Sequence, residues 1–441
     1  MVLDAPAPTF DEGARSTTVR IRSRYLTARD AAVPVSIWLG EPPVLLNGCE
    51  VIELSFSWGA GSDQGVITNV DAGSGTLRLY DPERYYDPTV STIVRIGTPV
   101  RVSLAGVPAF RGRVDDIDHD LVVATFALVD DISALAAVQF VETNVPAETS
   151  SARVTRILDL AGWPADRRDI TAGGVALQAG TVSQEAWTEL VEVARNELGA
   201  VYMRPDGAVA FRPRAAAWAG GAPAMTFGCP PSDAYLTDLG TRGDISALVN
   251  YLSTSRRTGT ARVLSDAASI ATFGVHSYVQ NDLELAADGD RDLWQDFYLR
   301  RQKDPVRGIG GFAAHPGAAA IAKALAMPFG AIVRIVDEGH GPAIDRPARW
   351  LGARWSVSPT FVELLGVVGE DASIRLVPRT TTIDTPAQWT ATANAGVGPA
   401  VNIAAREPGL VVDKIGPMSA GPLSASTRPA EPEPPGEPEP R

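Results

Sequence analysis

The stretch from Gly75 to Asp120, GTLRLYDPERYYDPTVSTIVRIGTPVRVSLAGVPAFRGRVDDIDHD, admits few folds. Thr76–Tyr80 alternates Leu77 and Leu79 with Thr76, Arg78 and Tyr80, the two-residue period of a half-buried strand. Asp81-Pro82 stops it, because proline has no N–H for the ladder and restricts the residue before it. Asp87-Pro88 is a second stop. Gly97-Thr98-Pro99 leads into the β-branched run Val100–Leu104, Ala105–Pro108 turns the chain, and Phe110–Ile117 returns it. Hairpins of this kind make a barrel or a sandwich, not a nucleotide-binding fold.

The segments before this stretch have the same character. Met1–Gly13 is rich in Pro and Ala and reads as an arm. Thr17–Leu26 alternates Arg20, Arg22 and Arg24 with Val19, Ile21 and Tyr25, a strand whose basic outer edge is solvated or faces a partner. Val33–Leu39 and Cys49–Trp58 are further strands. Gly59–Gly65 is a loop that misses G-x-G-x-x-G by one residue and opens no helix, so it does not cradle phosphate. After Asp120, Leu121–Val129 reads as a strand and Asp131 as the cap of a short helix, Ile132–Val138.

Then the periodicity changes. Ser151 is placed to cap a helix with Val154, Ile157, Leu158 and Ala161 on one face, ended by Gly162-Trp163-Pro164. A second helix from Ser183 has Glu185 in its first turn and Trp187, Leu190, Val191, Ala194 and Leu198 as its stripe. Gly199 suits its left-handed terminus. Ala200–Met203 and Ala208–Arg212 form a hairpin about Arg204-Pro205-Asp206-Gly207. Ala215–Pro223 reads as a linker.

Strands resume at Leu248–Ser255 and Ala261–Leu264. Asp290 is placed to cap a helix carrying Leu293, Trp294 and Phe297 that ends by Pro305. Met327–Val336, Ala348–Ser358 and Phe361–Val368 are strands. Val333-Arg334-Ile335, Arg349-Trp350 to Trp355 and Phe361–Asp371 echo Val100-Arg101-Val102, the arginine-bearing return and Thr125–Asp131, as two copies of one barrel would. Thr380–Ser426 is irregular, and Arg428–Arg441 is a Pro/Glu tail that favours extended polyproline II.

Composition limits the chemistry. A net charge of −13 argues against a sequence-independent nucleic-acid binder, which needs surplus Lys and Arg. Cys49 and Cys229, the only two cysteines, make neither a disulfide framework nor a zinc site and read as buried thiols. No signal peptide and no membrane-length apolar run is visible, so synthesis in a cytoplasm without a membrane anchor is expected.

Asp115, Asp116, Asp118, His119 and Asp120 are the densest acidic group, but as a calcium loop counted from Asp116 the sixth residue is Leu121 and the twelfth Ala127. Asp337-Glu338-Gly339-His340-Gly341 reads as a turn, and Gly308–Ala313 lacks the buried strand a dinucleotide loop follows. The four histidines form no H-E-x-x-H, and there is no G-x-S-x-G. No catalytic, cofactor-binding or metal residue is therefore assigned, and no enzyme is expected.

Three blocks of sequence carry a resemblance. The first comprises Asp81–Pro88, Gly97–Val102 and Phe110–Val114. The second is SARVTRILDLAGWP followed by EAWTELVEVARNELGAVYMRPDGAVAFRPR, and the third is Ser269–Gly274. In that order they resemble minor tail proteins of siphophages infecting actinobacteria, members of the baseplate hub family of tailed phages. The resemblance implies a mainly β fold: two tail-tube-like β-barrel domains, 1–145 and 231–379, flank a small α+β domain, 146–230, before an irregular and Pro/Glu-rich extension, 380–441. It implies a homotrimeric tail-tip hub whose paired barrels form a pseudo-sixfold ring. The partners it implies are the distal tail protein, the tail tube, the tape measure protein and other minor tail or receptor-binding proteins, with DNA passing through unbound. The alternatives are a tail-associated cell-wall hydrolase and a carbohydrate-binding module for host recognition.

Overall fold

A computed structural model describes residues 19–21, 33–40, 44–45, 50–60, 70, 72–90, 94–229, 231–338, 343–358 and 362–370. The arm, most of the loop at 59–65, Cys49, His340 and everything from 371 on lie outside the described residues. Strand accounts for 47% of what is described and helix for 22%, so the fold is mainly β with a small α+β insert.

The first part carries β1 (Val19–Ile21), β2 (Val33–Leu39), β3 (Val44–Leu45), β4 (Glu50–Gly59), β5 (Ser74–Tyr80), β6 (Pro99–Leu104), β7 (Val107–Asp120), β8 (Val123–Asp130) and α1 (Ile132–Ala136). The middle carries β9 (Thr143–Val145), β10 (Glu148–Thr149), α2 (Ser150–Leu160), β11 (Arg168–Ile170), β12 (Ala176–Leu177), β13 (Gly180–Val182), α3 (Ala186–Glu197), β14 (Ala200–Met203), β15 (Val209–Arg212) and α4 (Arg214–Ala217). The last part carries β16 (Met225–Gly228), β17 (Ala234–Asp244), β18 (Tyr251–Arg256), β19 (Arg262–Ser265), α5 (Ala267–Phe273) and β20 (Ser277–Leu283). It continues with α6 (Asp288–Gln302), β21 (Val306–Pro316), α7 (Ala318–Ala326), β22 (Ile332–Asp337), β23 (Ile344–Val357) and β24 (Val362–Glu370).

One sheet runs through both outer parts. β2, β6, β7, β8, β5 and β4 lie side by side in that order, and every neighbour is antiparallel. β4 then pairs with β23, and the order continues through β22, β16, β17, β21 and β24. β24 returns to β23 and closes a six-stranded barrel. Alternation puts Val100, Val102 and Leu104 of β6, and Ala124, Phe126 and Leu128 of β8, into the core. Aromatic rings cross the β4–β23 seam: Phe56 stacks on Trp355 at 6.4 Å, and Trp58 meets Trp350 at 6.3 Å. A separate three-stranded sheet, β19-β18-β20, packs its Leu252 and Tyr278 face toward α6, where Tyr278 stacks on Tyr298 at 5.2 Å and Tyr298 on Trp294 at 5.1 Å.

Several local expectations are corrected. The cap of α2 is Thr149, whose hydroxyl accepts from the Ala152 N–H, and Ser151 sits inside the first turn. Asp131 makes no capping bond; Asp130 Oδ1 accepts the Ile132 N–H at 3.0 Å, while Asp131 faces arginines. Helix α3 begins at Ala186, and the Ser183 and Gln184 N–H groups donate to Glu189 Oε1 at 2.8 and 2.9 Å. Its left-handed residue is Leu198, at φ 52, rather than Gly199. Asp290 lies within α6, whose N-cap is Ala287. Met327–Ala331 is a turn after α7, so β22 starts at Ile332. Cys229 is exposed rather than buried.

Candidate functional site

The two outer parts and the insert meet where β4 crosses β23. Gly59 and Gly352 make the crossing possible. A β-carbon on Gly352 would stand 2.6 Å from the Trp58 carbonyl oxygen, and Gly59, at φ 83, has the Leu351 carbonyl against it. Trp58 is carried to this crossing as the last large residue of β4. Hairpin β14–β15 comes in from the insert with Tyr202, whose hydroxyl accepts the Phe329 N–H at 3.3 Å. Trp58 stacks against Tyr202 at 6.4 Å between ring centres, and Tyr202 meets Phe329 at 5.5 Å. Burial, first of all, pushes the Tyr202 phenol above its ordinary pKa.

These elements enclose a cleft of about 340 Å³. Its wall is apolar: Trp58, Val107, Tyr202, Leu325, Met327 and Pro328. Its rim is an ion network. Arg204 bonds Asp169 at 2.7 Å and Asp206 at 2.9 Å, and Arg212 also bonds Asp169. The hydrogen bond from Arg212, then that from Arg204, holds the Asp169 carboxyl below its usual range against the opposing effect of burial. The Trp58 Nε1–H is buried and has no acceptor among the described residues. The cleft offers shape, some apolar surface and a charged rim, with no nucleophile–base pair among its lining residues.

A buried arginine locks the same junction from behind. Arg349 of β23 donates to the carbonyls of Ala217, Ala219 and Gly330 through Nη1 at 3.2, 3.1 and 3.0 Å, and to Trp218 through Nη2 at 3.1 Å. The segment at 215–223, read as a linker, therefore begins as α4 and is pinned to the barrel. Arg167 of the insert reaches Asp131 of the first part at 2.5 Å and donates to the Gly207 carbonyl at 2.6 Å.

The residues singled out by motif go elsewhere. Asp115–Asp120 form the end of β7, and strand alternation separates them: Asp118 and Asp120 are exposed, while the His119 side chain turns inward to lie 3.4 Å from Asp81 Oδ2. They do not converge on a point. Among the described residues no group of three or more His, Cys, Asp or Glu is placed to hold a metal ion. The Asp-Pro stops have a structural role. Asp81 accepts the Tyr85 and Tyr86 N–H groups at 2.9 and 2.8 Å, and Asp87 accepts the Thr89 N–H and hydroxyl at 2.8 and 2.6 Å. Gly308–Ala313 lies inside β21, laddered to β17, and Asp337 ends β22 opposite Ile344. Sequence reasoning missed the cleft entirely. Its only sequence trace is the pairing of Trp with a nearby Gly, in Trp58-Gly59 and Trp350-Leu351-Gly352.

Comparison of this architecture with solved structures gives two clear likenesses. The crystal structure of the tail protein from Neisseria meningitidis MC58 matches with a TM-score of 0.55 over 77% of this chain and 97% of its own, at 13% identity. The 43 kDa tail protein of prophage MuSo2 from Shewanella oneidensis matches with a TM-score of 0.54 over the same shares, also at 13% identity. The fold is that of phage tail proteins. At this identity the likeness is one of architecture, and it spans nearly the whole of both tail proteins. No family model and no curated protein matches the sequence.

Proposed function

We propose that the chain is a structural component of a phage tail, a hub at the tail tip. In this reading three copies form a ring that joins the tail tube and distal tail ring to central or receptor-binding parts. The domain division that suits it is a first β unit over 1–145, the insert over 146–230 and a second β unit over 231–379, with β16 from the end of the insert's span completing the closed barrel of the second unit. The observation that carries the reading is the pairing of β4 with β23, which merges two six-strand sets into one continuous sheet. Two such sets per chain, in three copies, make six sectors and fit a sixfold tube. The role is geometric and needs no reaction. With a net charge of −13, a lumen formed by such a ring repels phosphate at close range, so DNA passes without sticking.

Electron microscopy of the purified full chain tests this. Class averages with threefold or pseudo-sixfold symmetry are expected, as is the loss of assembled tails in particles lacking the protein. A chain that stays monomeric at high concentration and binds no tail component overturns the reading.

A further inference from the structure

The sheet β19-β18-β20 is covered on one side only. Leu252 and Thr254 are buried toward α6, and Tyr278 stacks on Tyr298 there. Strand alternation turns the other residues outward. The register aligns Val263, Ser253 and Val279 in one row and Ser265, Tyr251 and Ser277 in the next. Ser255 follows on β18, and its hydroxyl donates to Asn281 Oδ1 at 3.2 Å. Val263 is 50% exposed, Val279 58% and Tyr251 37%.

None of these outward side chains carries a charge. A surface of ordinary composition, about 25–35% charged, would place about two or three charges on so many positions. The charged residues of the three strands are Arg256, Arg262 and Asp282. Arg256 bonds Asp288 at 2.7 Å and Arg262 bonds Asp292 at 2.5 Å, both on α6. Asp282 sits beyond the two rows, at the bulge of β20, with φ 61. A solvated face that keeps Tyr, Ser, Asn and Val but no charge has the composition of a protein-recognition surface.

The face also has relief. Neighbouring strands stand about 4.8 Å apart, so Val263 and Val279 rise roughly 10 Å from each other on either side of the small Ser253. The result is a trough along β18 with Tyr251 at one end. An element lying on the face of a sheet finds no backbone partners there and must satisfy its own. A lone strand fails this condition and a helix meets it. One helix, about 10–12 Å across, spans a three-stranded face of about 14 Å. A face of about 14 by 17 Å is too small to hold two copies of this chain together, since a stable interface covers about 800 Å² per partner. We propose that this trough receives one helix of another tail protein, lying along β18 with an uncharged aliphatic stripe against Val263 and Val279. With α6 behind the sheet, the helix completes a helix–sheet–helix layering. The two valines argue against a glycan, because their methyl groups offer a sugar no hydrogen bond. That the partner is a tail protein rests on the tail reading; the surface rests on these three strands alone.

Tail particles whose copy of this chain carries a photoreactive benzophenone side chain at Ser277, exposed beside the trough, test it. Irradiation should join the chain to a helix of a different tail protein, at a residue bordering an uncharged stripe. Because no ion pair is involved, the yield should be equal at about 0.1 and about 1 M salt. Val263→Lys together with Val279→Lys, both at solvated positions, should leave the melting temperature of the purified chain unchanged. The pair should cut the crosslink per incorporated chain by about tenfold or more, since an ammonium covered by an apolar stripe has no partner. No crosslink in particles that contain the chain, crosslinks only to a second copy or to a saccharide, or a double variant that crosslinks like wild type overturns the helix assignment and leaves the tail reading standing. Absence of the chain from tail particles overturns the tail reading and the partner with it.

Discussion

The β2-β6-β7-β8-β5-β4 set is antiparallel throughout, whereas the β22-β16-β17-β21-β24-β23 barrel has two parallel pairings, both made by β16. The barrel also interposes β18–β20, α5 and α6 between the paired strands β17 and β21. The cores differ in the same sense. The first set fills most of its interior with Val, Leu and Ile, in unbroken alternation along β6 and β8, and adds the rings of Phe56, Phe110 and Phe126. The barrel stacks Phe227 on Trp350 at 6.1 Å and sets Phe227 against Phe312 at 4.4 Å, with the Arg349 side chain buried alongside. Aliphatic alternation needs only the right period and tolerates exchange of similar residues. The barrel depends on particular long-range partners, and the chain bears the ordering entropy of the intervening residues before those contacts form.

The largest effect that tests this contrast is expected at Arg349. Arg349→Met keeps an unbranched apolar stem and removes the hydrogen bonds to the four carbonyls of Ala217, Trp218, Ala219 and Gly330. A loss of about 3 kcal/mol or more is expected, because each buried acceptor left bare costs about 1–3 kcal/mol. Ile37→Val in the first set, a one-methyl change at a buried position, should cost only about 1 kcal/mol. Chemical denaturation with two probes checks the pair. Equal losses would erase the distinction between the two cores.

How far the sequence was legible follows the same line. Strands β4 to β8 are visible because period-two alternation and Asp-Pro or Gly stops are local signals. The insert's helices are visible from their stripes, but their caps are not: Thr149 and Glu189 do what the pattern assigns to Ser151 and Ser183, two and six residues away in the chain. In the barrel, β17 and β21 escape the reading. Tyr235, Asp238 and Gly240 of β17 are exposed and Gly308-Ile309-Gly310-Gly311 of β21 lacks alternation, so neither carries a strand pattern. Helix α7, AAAIAKALA, was hidden between a Gly/Pro turn and a run read as strand from Met327. The echo of Val100–Asp131 in Val333–Asp371 did point at real elements, the consecutive antiparallel strands β6-β7-β8 and β22-β23-β24. The cleft was illegible because it is assembled from β4, the β14–β15 hairpin and α7, which no spacing rule connects.

A smaller effect concerns pH and belongs to the first set. Asp130 ends β8, binds the Gly73 N–H at 2.8 Å as well as the Ile132 N–H, and is pushed up to about 7, chiefly by burial. A carboxyl whose native pKa lies above its unfolded value holds its proton more tightly when folded. Stability is therefore lost as pH rises from about 4 to about 7, by at most about 1.4 kcal/mol per pH unit. Asp130→Asn should flatten that slope. Thermal melts at pH 5, 6 and 7 check it, and an unchanged slope in the variant would move the titration to another group.

The smallest effect tests whether the insert behaves as a third, separately held region. Thr149 Oγ1 reaches the Ala152 N–H at 3.4 Å, a long capping bond. Helix α2 has stronger anchors: Arg153 donates to Glu148 at 2.8 Å and to the carbonyls of Pro146 and Gln178 at 2.8 and 2.9 Å, and Val154, Ile157 and Leu158 are buried. Thr149→Ala is therefore expected at the low end of capping losses, about 0.5–1 kcal/mol, and Ser151→Ala near zero. Hydrogen exchange locates the loss. Faster exchange confined to the first turn of α2 is expected, with β4 and β23 unchanged, because neither strand contributes to that cap. Exchange that rises across the β4–β23 seam as well would mean that the insert and the continuous sheet open together, and Arg349 and Arg167 would then be the links that couple them.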